Sequence, residues 1–193
     1  MKVILHICCG VCAAGAAEKL KAEGGIEVIG FFYNPNIFPE EEYRQRLDVA
    51  RETSRLLDFP LFEGSYQPED WREKIRGWED VPEGGKRCEI CFRVRLEETF
   101  KFMNDRGAGA FTSTLTISPH KSAKAIFRIG KAIGGEKFLA RISRKEKVFR
   151  RASALPRSTS CTGRSIAGVF TASRKHRAKC RKPVSSFEFI VSS

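Results

Sequence analysis

The sequence predicts an α/β fold, a Rossmann-like parallel sheet flanked by helices, in a single domain with an atypical C-terminal tail. Short segments rich in apolar, β-branched and aromatic residues alternate with charged, amphipathic segments, which is typical of parallel strands joined by crossover helices. The 193 residues are enough for one domain with a substantial core. The predicted strands cover 2–7, 26–33, 59–63 and 109–117, and a further strand begins at 138.

Five helices are expected between and after these strands. Gly24 and Gly25 are placed to end the first helix, and Pro39 with three following glutamates is placed to begin the second, because the helix dipole favours acidic side chains there. Ser118 and Pro119 are expected to be the N-cap and the first position of the last helix. The predicted helices cover 13–23, 39–57, 69–80, 89–105 and 120–133.

Charge is distributed unevenly along the chain. The formal net charge of +12 is by itself typical of a protein with an anionic partner such as nucleic acid. Residues 1–140, however, contain 21 basic and 21 acidic side chains, whereas 141–193 contain 14 basic and 2 acidic ones. The tail also lacks helical and strand periodicity. These two features predict an α/β domain over 1–141 and a basic tail over 142–193, whose composition by itself is typical of disorder. The cysteines described next make the domain over 1–141 a candidate metal-binding catalytic domain.

Five cysteines occur at two places that suit a metal site. Cys8, Cys9 and Cys12 follow the first predicted strand, and ligands bind at the carboxyl ends of strands in doubly wound sheets. Cys88 and Cys91 form a Cys-x-x-Cys pair at a helix start, where the helix dipole and neighbouring basic side chains favour thiolates. Thiolates are soft ligands, so these five residues predict an iron–sulfur or zinc site.

Other interpretations of the cysteines stay open at this stage. A structural zinc site uses the same two-plus-two spacing of thiolates. Disulfide exchange is also compatible, since Cys9 and Cys12 themselves form a Cys-x-x-Cys motif. Burial as ordinary small apolar residues explains the spacing least well. The absence of a long apolar run and of a recognisable signal peptide, together with seven cysteines, predicts a reducing, cytoplasmic location with no membrane partner.

Polar residues near the predicted strand ends are candidates for substrate binding. Tyr33, Asn34 and Asn36 follow the second strand and could hydrogen-bond a base, or could serve only the turn. A run of hydroxyl and basic side chains around the last predicted helix start could bind a phosphate, or could simply cap the helix. The members of this run are Thr112, Thr114, Ser118, His120 and Lys121.

Several other polar side chains are expected to be structural. His6 lies inside the first predicted strand and is expected to be a hydrogen-bonded core histidine rather than a ligand. Four arginines on predicted helices are expected to be solvated charges unless they line the cleft. These are Arg44, Arg46, Arg93 and Arg95.

Four motifs, in a consistent order, resemble the QueH-type epoxyqueuosine reductases. They are HICCGVC at 6–12, FFYNPNIFPEEEY at 31–43, RCEICFRVRL at 87–96 and FTSTLTISPHK at 111–121. The resemblance covers about residues 1–140. It implies a cobalamin-independent, two-electron reduction of epoxyqueuosine to queuosine at the wobble base of a tRNA anticodon, with electrons from an external donor.

The resemblance also implies cofactors and roles for the cysteines. It implies a 4Fe–4S cluster and a second, mononuclear iron beside it. Cys12 would ligate or adjoin the second iron, and Cys12 and His120 are the candidate catalytic residues. The cluster itself would be held by four thiolates, those of Cys8, Cys9, Cys88 and Cys91.

The tail lacks two segments that the resemblance leads us to expect, one like DFKK and one containing YCGC. Codons can be chosen for 161–172 so that a change of reading phase by one nucleotide yields YRQKYCGCVYS, and the same phase at 142–145 permits DFKK. We therefore hypothesise a frameshifted translation from about residue 142, which explains the charge jump and the lost periodicity. On this hypothesis Cys161 and Cys180 carry no function. The alternative is a basic, RNA-binding tail.

Overall fold

Four parallel strands form the central sheet over residues 1–140, which are the residues described in this computed structural model. β1 (Lys2–His6) and β2 (Glu27–Phe32) pair in the middle, β3 (Leu61–Glu63) adds to the outer side of β2, and β4 (Ala110–Ser113) pairs with β1. The strand order is β3-β2-β1-β4. This arrangement confirms the predicted α/β class with a parallel sheet.

Helices cover both faces of the sheet. The first two helices pack against each other on one face, and the fourth and fifth pack against each other on the opposite face. β1 feeds both layers because successive side chains alternate between the faces of a strand: Val3 and Leu5 join one apolar cluster and Ile4 joins the other. The helices are α1 (Gly10–Ala22), α2 (Glu40–Leu56), α3 (Pro68–Lys74), α4 (Lys86–Asp105) and α5 (Ala123–Gly134).

Two helices begin three residues earlier than predicted, and this changes where the cysteines lie. α1 begins at Gly10 with Cys9 as its N-cap residue, so Cys12 belongs to its first turn. α4 begins at Lys86, so Cys88 also belongs to a first turn. Gly10 is required by the close approach of α2, because a Cβ at this position would lie 2.6 Å from the backbone oxygen of Val49.

The predictions around β4 and α5 are partly wrong. The strand expected over 109–117 ends at Ser113, whose hydroxyl accepts a hydrogen bond from the backbone N–H of Leu115 at 3.1 Å and starts a 3₁₀ turn over Thr114–Ile117. α5 starts at Ala123 and not at 120, since Ser122, rather than Ser118, is its N-cap. The side-chain cap of Ser122, rather than Pro119, therefore determines where α5 begins.

Two further boundaries also differ from the prediction. α3 ends at Lys74 rather than near 80, and Gly77 follows with a φ of +82° in the left-handed region that glycine favours. The fifth strand expected from 138 is represented among residues 1–140 by a single parallel bridge between Phe138 and Phe111.

No helix in the described part of the chain is long and apolar enough to cross a membrane. The predicted tail over 142–193, with Cys161 and Cys180, lies outside the described residues. The predicted boundary at 141 and the frameshift hypothesis therefore stay predictions.

Candidate metal centre

Three cysteines converge where β1 ends and α1 begins. The sulfur atoms of Cys8, Cys9 and Cys12 all lie within 4.8 Å of one another. Cys8 is buried, and Cys9 and Cys12 are half-buried. The three side chains, called the first cysteine group below, lie at the carboxyl edge of the parallel sheet, where the sequence predicts a ligand site.

The donor set of the first cysteine group fits a soft metal. Hydrogen bonds with Cys8 and Cys9 raise the pKa of the Cys12 thiol well above its ordinary value, and burial adds to the rise. Without a metal, the Cys12 thiol therefore keeps its proton. A metal ion would replace that proton, because thiolates are ligands for iron and zinc. Sulfurs on one tetrahedral ion are about 3.8 Å apart, so the first cysteine group is already close to the spacing that such an ion requires.

Thr114 holds the first cysteine group from the neighbouring strand end. Its hydroxyl accepts the backbone N–H of Cys8 at 3.1 Å and donates to the sulfur of Cys8 at 3.3 Å. The Thr114 side chain is fully buried. In the structure this hydroxyl orients Cys8 through both bonds, and the substrate binding expected of it from the sequence stays a prediction.

His6 lies directly below the first cysteine group and is structural, as expected. Its Nε2 is 3.0 Å from the backbone oxygen of Tyr33, which can only accept, so Nε2 carries the proton. Nδ1 therefore accepts the hydroxyl of Ser113 at 2.9 Å. Burial lowers the pKa of His6 to about 4, and the nearby charge of Arg95 contributes to this shift. The neutral ring thus links the ends of β1, β2 and β4.

Cys88 and Cys91 form a second cysteine group that does not join the first. Cys88 accepts a hydrogen bond at its sulfur from the backbone N–H of Gly84 at 3.3 Å. Cys91 is buried against Trp71 of α3 and against Ile75, which directly follows this helix. The structure therefore brings together three of the five predicted metal ligands within 4.8 Å and leaves these two outside that group.

Arg95 differs most from its sequence-based expectation. The prediction of a solvated charge is wrong, since its side chain is only 3% exposed, while Arg93 on the same helix is largely exposed and pairs with Glu97. Helical spacing could have identified it, because Arg95 follows Cys91 by four residues and precedes Thr99 by four on the buried face of α4.

Three predicted substrate-binding residues lie where β2 ends, close to the cysteine turn. Asn34 is 1% exposed and donates from Nδ2 to the backbone oxygen of Ile7 at 2.9 Å. The Oδ1 atoms of Asn34 and Asn36 are buried and accept no hydrogen bond within residues 1–140. Tyr33 is half-buried, and its ring stacks on Phe31. Two buried acceptors are therefore available here to a ligand that carries donors.

The predicted phosphate-binding residues divide into two sets. Thr112 donates to the backbone oxygen of Leu139 at 2.8 Å, so its hydroxyl serves the fold. Ser118 lies 3.4 Å from both the backbone nitrogen of His120 and the Nζ of Lys121, so these three residues form one loop cluster. His120 is exposed and Lys121 is half-buried. The cluster presents a cation and a hydroxyl, but not at a helix N-terminus.

A polar cavity of about 440 Å³ lies elsewhere, between α2 and β3. Its polar groups are already paired: Tyr43 donates to Glu63 at 3.0 Å, and Arg51 forms an ion pair with the other Glu63 oxygen at 3.0 Å. None of the predicted site residues lines this cavity, so the cysteine turn remains the candidate site.

The parallel sheet with converging thiols at its carboxyl edge defines an α/β protein with a candidate soft-metal site. Comparison with known families agrees with this class and is more specific. The family model described as "Epoxyqueuosine reductase QueH" matches residues 3–161. The chain belongs to this family, which confirms the resemblance drawn from the four motifs.

Individual relatives have the same description. The chain is 35% identical over 136 residues to the "Epoxyqueuosine reductase QueH" of Streptococcus pyogenes serotype M1, which covers 66% of this chain and 52% of the relative. The corresponding values for Helicobacter pylori are 38% over 132 residues, with 68% and 36% covered. For the relative from Thermotoga maritima, the identity is 32% over 149 residues, and the alignment covers 74% of this chain and 75% of the relative. The chain thus spans about half or less of the first two relatives' length.

Proposed function

We propose that this chain is an epoxyqueuosine reductase, which removes the epoxide oxygen of epoxyqueuosine at the wobble base of tRNA. The observation that carries the proposal is the convergence of three thiols at the carboxyl edge of the sheet in a member of the QueH family. The net reaction consumes two electrons and two protons, and it yields the alkene of queuosine and water. The electrons come from an external donor, and we propose that the enzyme acts in the cytoplasm.

The proposed cofactors are a 4Fe–4S cluster and a second, mononuclear iron. Bound at this site, they would supply single electrons and a Lewis acid for the epoxide oxygen. The first cysteine group supplies three thiolates, and the ligands of a cubane cluster bind different iron atoms, so these sulfurs must spread or divide between two metal centres. Cys12 is the proposed ligand or neighbour of the second iron. The proposed cluster ligands are Cys8, Cys9, Cys88 and Cys91.

The remaining candidate residues bind and orient the substrate. The unsatisfied Oδ1 atoms of Asn34 and Asn36 can accept hydrogen bonds from N–H or O–H groups of the modified base. Tyr33 offers a half-buried ring beside them. Lys121 and Ser118 can contact a phosphate of the anticodon, and His120 can deliver a proton to the departing oxygen.

A zinc-stabilised nucleic-acid or nucleotide-binding module is the second candidate function. The observation that favours it is the spacing of the first cysteine group, which is closer to that of ligands on one tetrahedral ion than on a cubane cluster. A thiol–disulfide oxidoreductase is the third candidate, because Cys9 is the N-cap of α1 and Cys12 lies in its first turn.

Anaerobic purification of the 193-residue chain separates these candidates. A brown protein with iron and acid-labile sulfide, which converts epoxyqueuosine in tRNA to queuosine with a chemical reductant, would support the proposal. A colourless protein with stoichiometric zinc would support the second candidate. A colourless, metal-free protein that cycles a disulfide would support the third.

The frameshift hypothesis needs a separate test. The nucleotide sequence should permit DFKK and YCGC in one alternative phase from about residue 142. If it does, the assay should be repeated with the restored tail, and higher activity than that of the 193-residue chain is expected. Codons that cannot encode YCGC would rule the hypothesis out.

A further inference from the structure

Arg95 is a buried cation in the middle of α4. Its guanidinium carbon lies 5.8 Å from the centre of the Phe92 ring, and the backbone oxygen of Arg95 accepts the hydroxyl of Thr99 at 2.6 Å. The residue is thus fixed within the helix layer that covers one face of the sheet. A buried charge is costly unless it is paired, so the partner of this guanidinium indicates its role.

Both hydrogen bonds of the Arg95 guanidinium go to one residue, Cys91. Its Nε donates to the backbone oxygen of Cys91 at 3.0 Å, and its Nη2 donates to the sulfur at 3.2 Å. Within residues 1–140 no carboxylate pairs with Arg95, whereas the exposed Arg93 of the same helix pairs with Glu97. Arg87, the other buried arginine of α4, also has no carboxylate partner in these residues, but it donates to the backbone oxygen of Glu79 rather than to a sulfur. The guanidinium of Arg95 therefore bonds Cys91 at two atoms. The group next to its positive charge is the Cys91 sulfur and not a carboxylate.

We propose that Arg95 is a positioning residue that orients the sulfur of Cys91 as a metal ligand and supplies a buried positive charge to the loaded site. This inference rests on the proposed iron–sulfur function. Reduction adds negative charge to a thiolate-bound centre, so a fixed positive charge beside it stabilises the reduced form. Hydrogen bonds to a ligand sulfur act in the same direction. Arg95 is thus expected to raise the reduction potential of the centre.

The experiment compares Arg95→Gln with Arg93→Gln in the full chain. Glutamine keeps one donor but removes the charge, and Arg93 is a matched control because it lies on the same helix but is 52% exposed. After anaerobic reconstitution with iron and sulfide, iron content is measured and the midpoint potential is determined by redox titration followed by electron paramagnetic resonance. Circular dichroism checks the fold of each variant.

At the midpoint potential of the parent, Arg95→Gln should lower the ratio of reduced to oxidised centre at least about tenfold. This change corresponds to a midpoint potential lowered by about 59 mV for one electron. Arg93→Gln should change the ratio less than about threefold. A folded Arg95→Gln variant that loses iron while Arg93→Gln retains it would also support the inference. An Arg95→Gln variant with the parent's iron content and potential would overturn it.

Arg95→Lys keeps the inference testable if the glutamine variant does not fold. Lysine retains the charge, so this variant should bind the parent's amount of iron and keep most of the parent's potential. A folded lysine variant without iron, or with a potential lowered by the full tenfold ratio, would contradict the role of the charge. A parent protein that binds no iron would overturn the proposed function and this inference together, whereas an unaffected glutamine variant would overturn the inference alone.

Discussion

The two cysteine groups of this chain are built in different ways. Cys8, Cys9 and Cys12 lie within five consecutive residues, and one turn followed by a helix start is enough to bring their sulfurs within 4.8 Å. Cys88 and Cys91 share a helix, but the sulfur of one faces the preceding loop and the sulfur of the other faces Arg95 and α3. The first group is organised by local backbone geometry, and the second by tertiary contacts.

This difference predicts which sulfurs bind a metal first. The first group can take up one soft ion without moving a secondary-structure element. The second group must give up hydrogen bonds from Gly84 and Arg95, or retain them while its sulfurs turn towards the metal. The first group is thus preorganised, and the second is held in place by neighbouring donors.

The largest expected effect is the loss of metal affinity in Cys8→Ser. Removing one of three converging thiolates should weaken Co²⁺ binding to the metal-free chain by roughly a few hundredfold, because a thiolate ligand contributes ~3–4 kcal/mol. Cys91→Ser is the matched variant from the second group and should change the affinity less than about fivefold. Titration followed by sulfur-to-cobalt charge-transfer absorption measures both. Equal losses in the two variants would show that the groups bind one ion together.

The pH dependence of stability tests the support beneath the first group. The pKa of His6 is about 4 in the folded chain against an ordinary 6.5, so the unfolded chain binds more protons between these values. Stability of the metal-free protein should therefore fall as the pH drops from 6.5 to about 4, by about 3 kcal/mol in total from this group.

Urea unfolding across this pH range measures the effect. His6→Gln should flatten the dependence, and His120→Gln, which replaces an exposed histidine, is the control for the substitution itself. A His6→Gln variant with the parent's slope would show that other groups cause the acid sensitivity.

Glycine substitutions compare the backbones of the two turns. Gly10→Ala places a Cβ 2.6 Å from the backbone oxygen of Val49, so α1 must shift, at a cost of about 2 kcal/mol. In Gly85→Ala the nearest atom, at 2.5 Å, belongs to the Val81 side chain, which can move more easily. Denaturant unfolding should rank Gly10→Ala as the less stable variant, and its cobalt affinity should also be the lower one. The reverse order would contradict the claim that the first turn is the more constrained.

The smallest expected effect is that of Thr114→Val. This change removes the hydroxyl that bonds both the N–H and the sulfur of Cys8, and it should cost about 1–2 kcal/mol of folding stability. Thr114→Ser retains the hydroxyl and should lose less than half as much. Thermal and urea unfolding of the two variants provide the test. Equal stabilities of Thr114→Val and Thr114→Ser would show that the hydroxyl does not orient Cys8.

Much of the fold could be predicted from the sequence, because apolar periodicity identifies buried strands. The strands predicted for segments such as VILHI and IEVIGFF are confirmed, and their parallel direction follows from their alternation with helices. The end of β4 was predicted four residues too late, because the Ser113 hydroxyl caps a 3₁₀ turn by accepting the N–H of Leu115. The second bond at this point, between Thr114 and Cys8, could not be predicted, since its partners are distant in sequence.

The candidate site could be predicted where it depends on local spacing, but not where it depends on contacts between distant residues. The spacing of Cys8, Cys9 and Cys12 is local, so their convergence could be expected from the sequence alone. The separation of Cys91 could not, because it depends on packing against Trp71 and Ile75 and on the hydrogen bond from the buried Arg95. Helical spacing places Arg95 on the same face of α4 as Cys91, but nothing in the sequence shows that its guanidinium bonds the Cys91 sulfur.

The most direct test of the metal site is the quantitation of iron and acid-labile sulfide in the anaerobically purified 193-residue chain and in Cys8→Ser. The parent should contain both, in an amount close to four irons and four sulfides per chain, with any further iron present as the mononuclear ion. Cys8→Ser should contain less than half of each. A parent without iron or sulfide, or a Cys8→Ser variant with the parent's full content, would contradict an iron–sulfur centre at the first cysteine group.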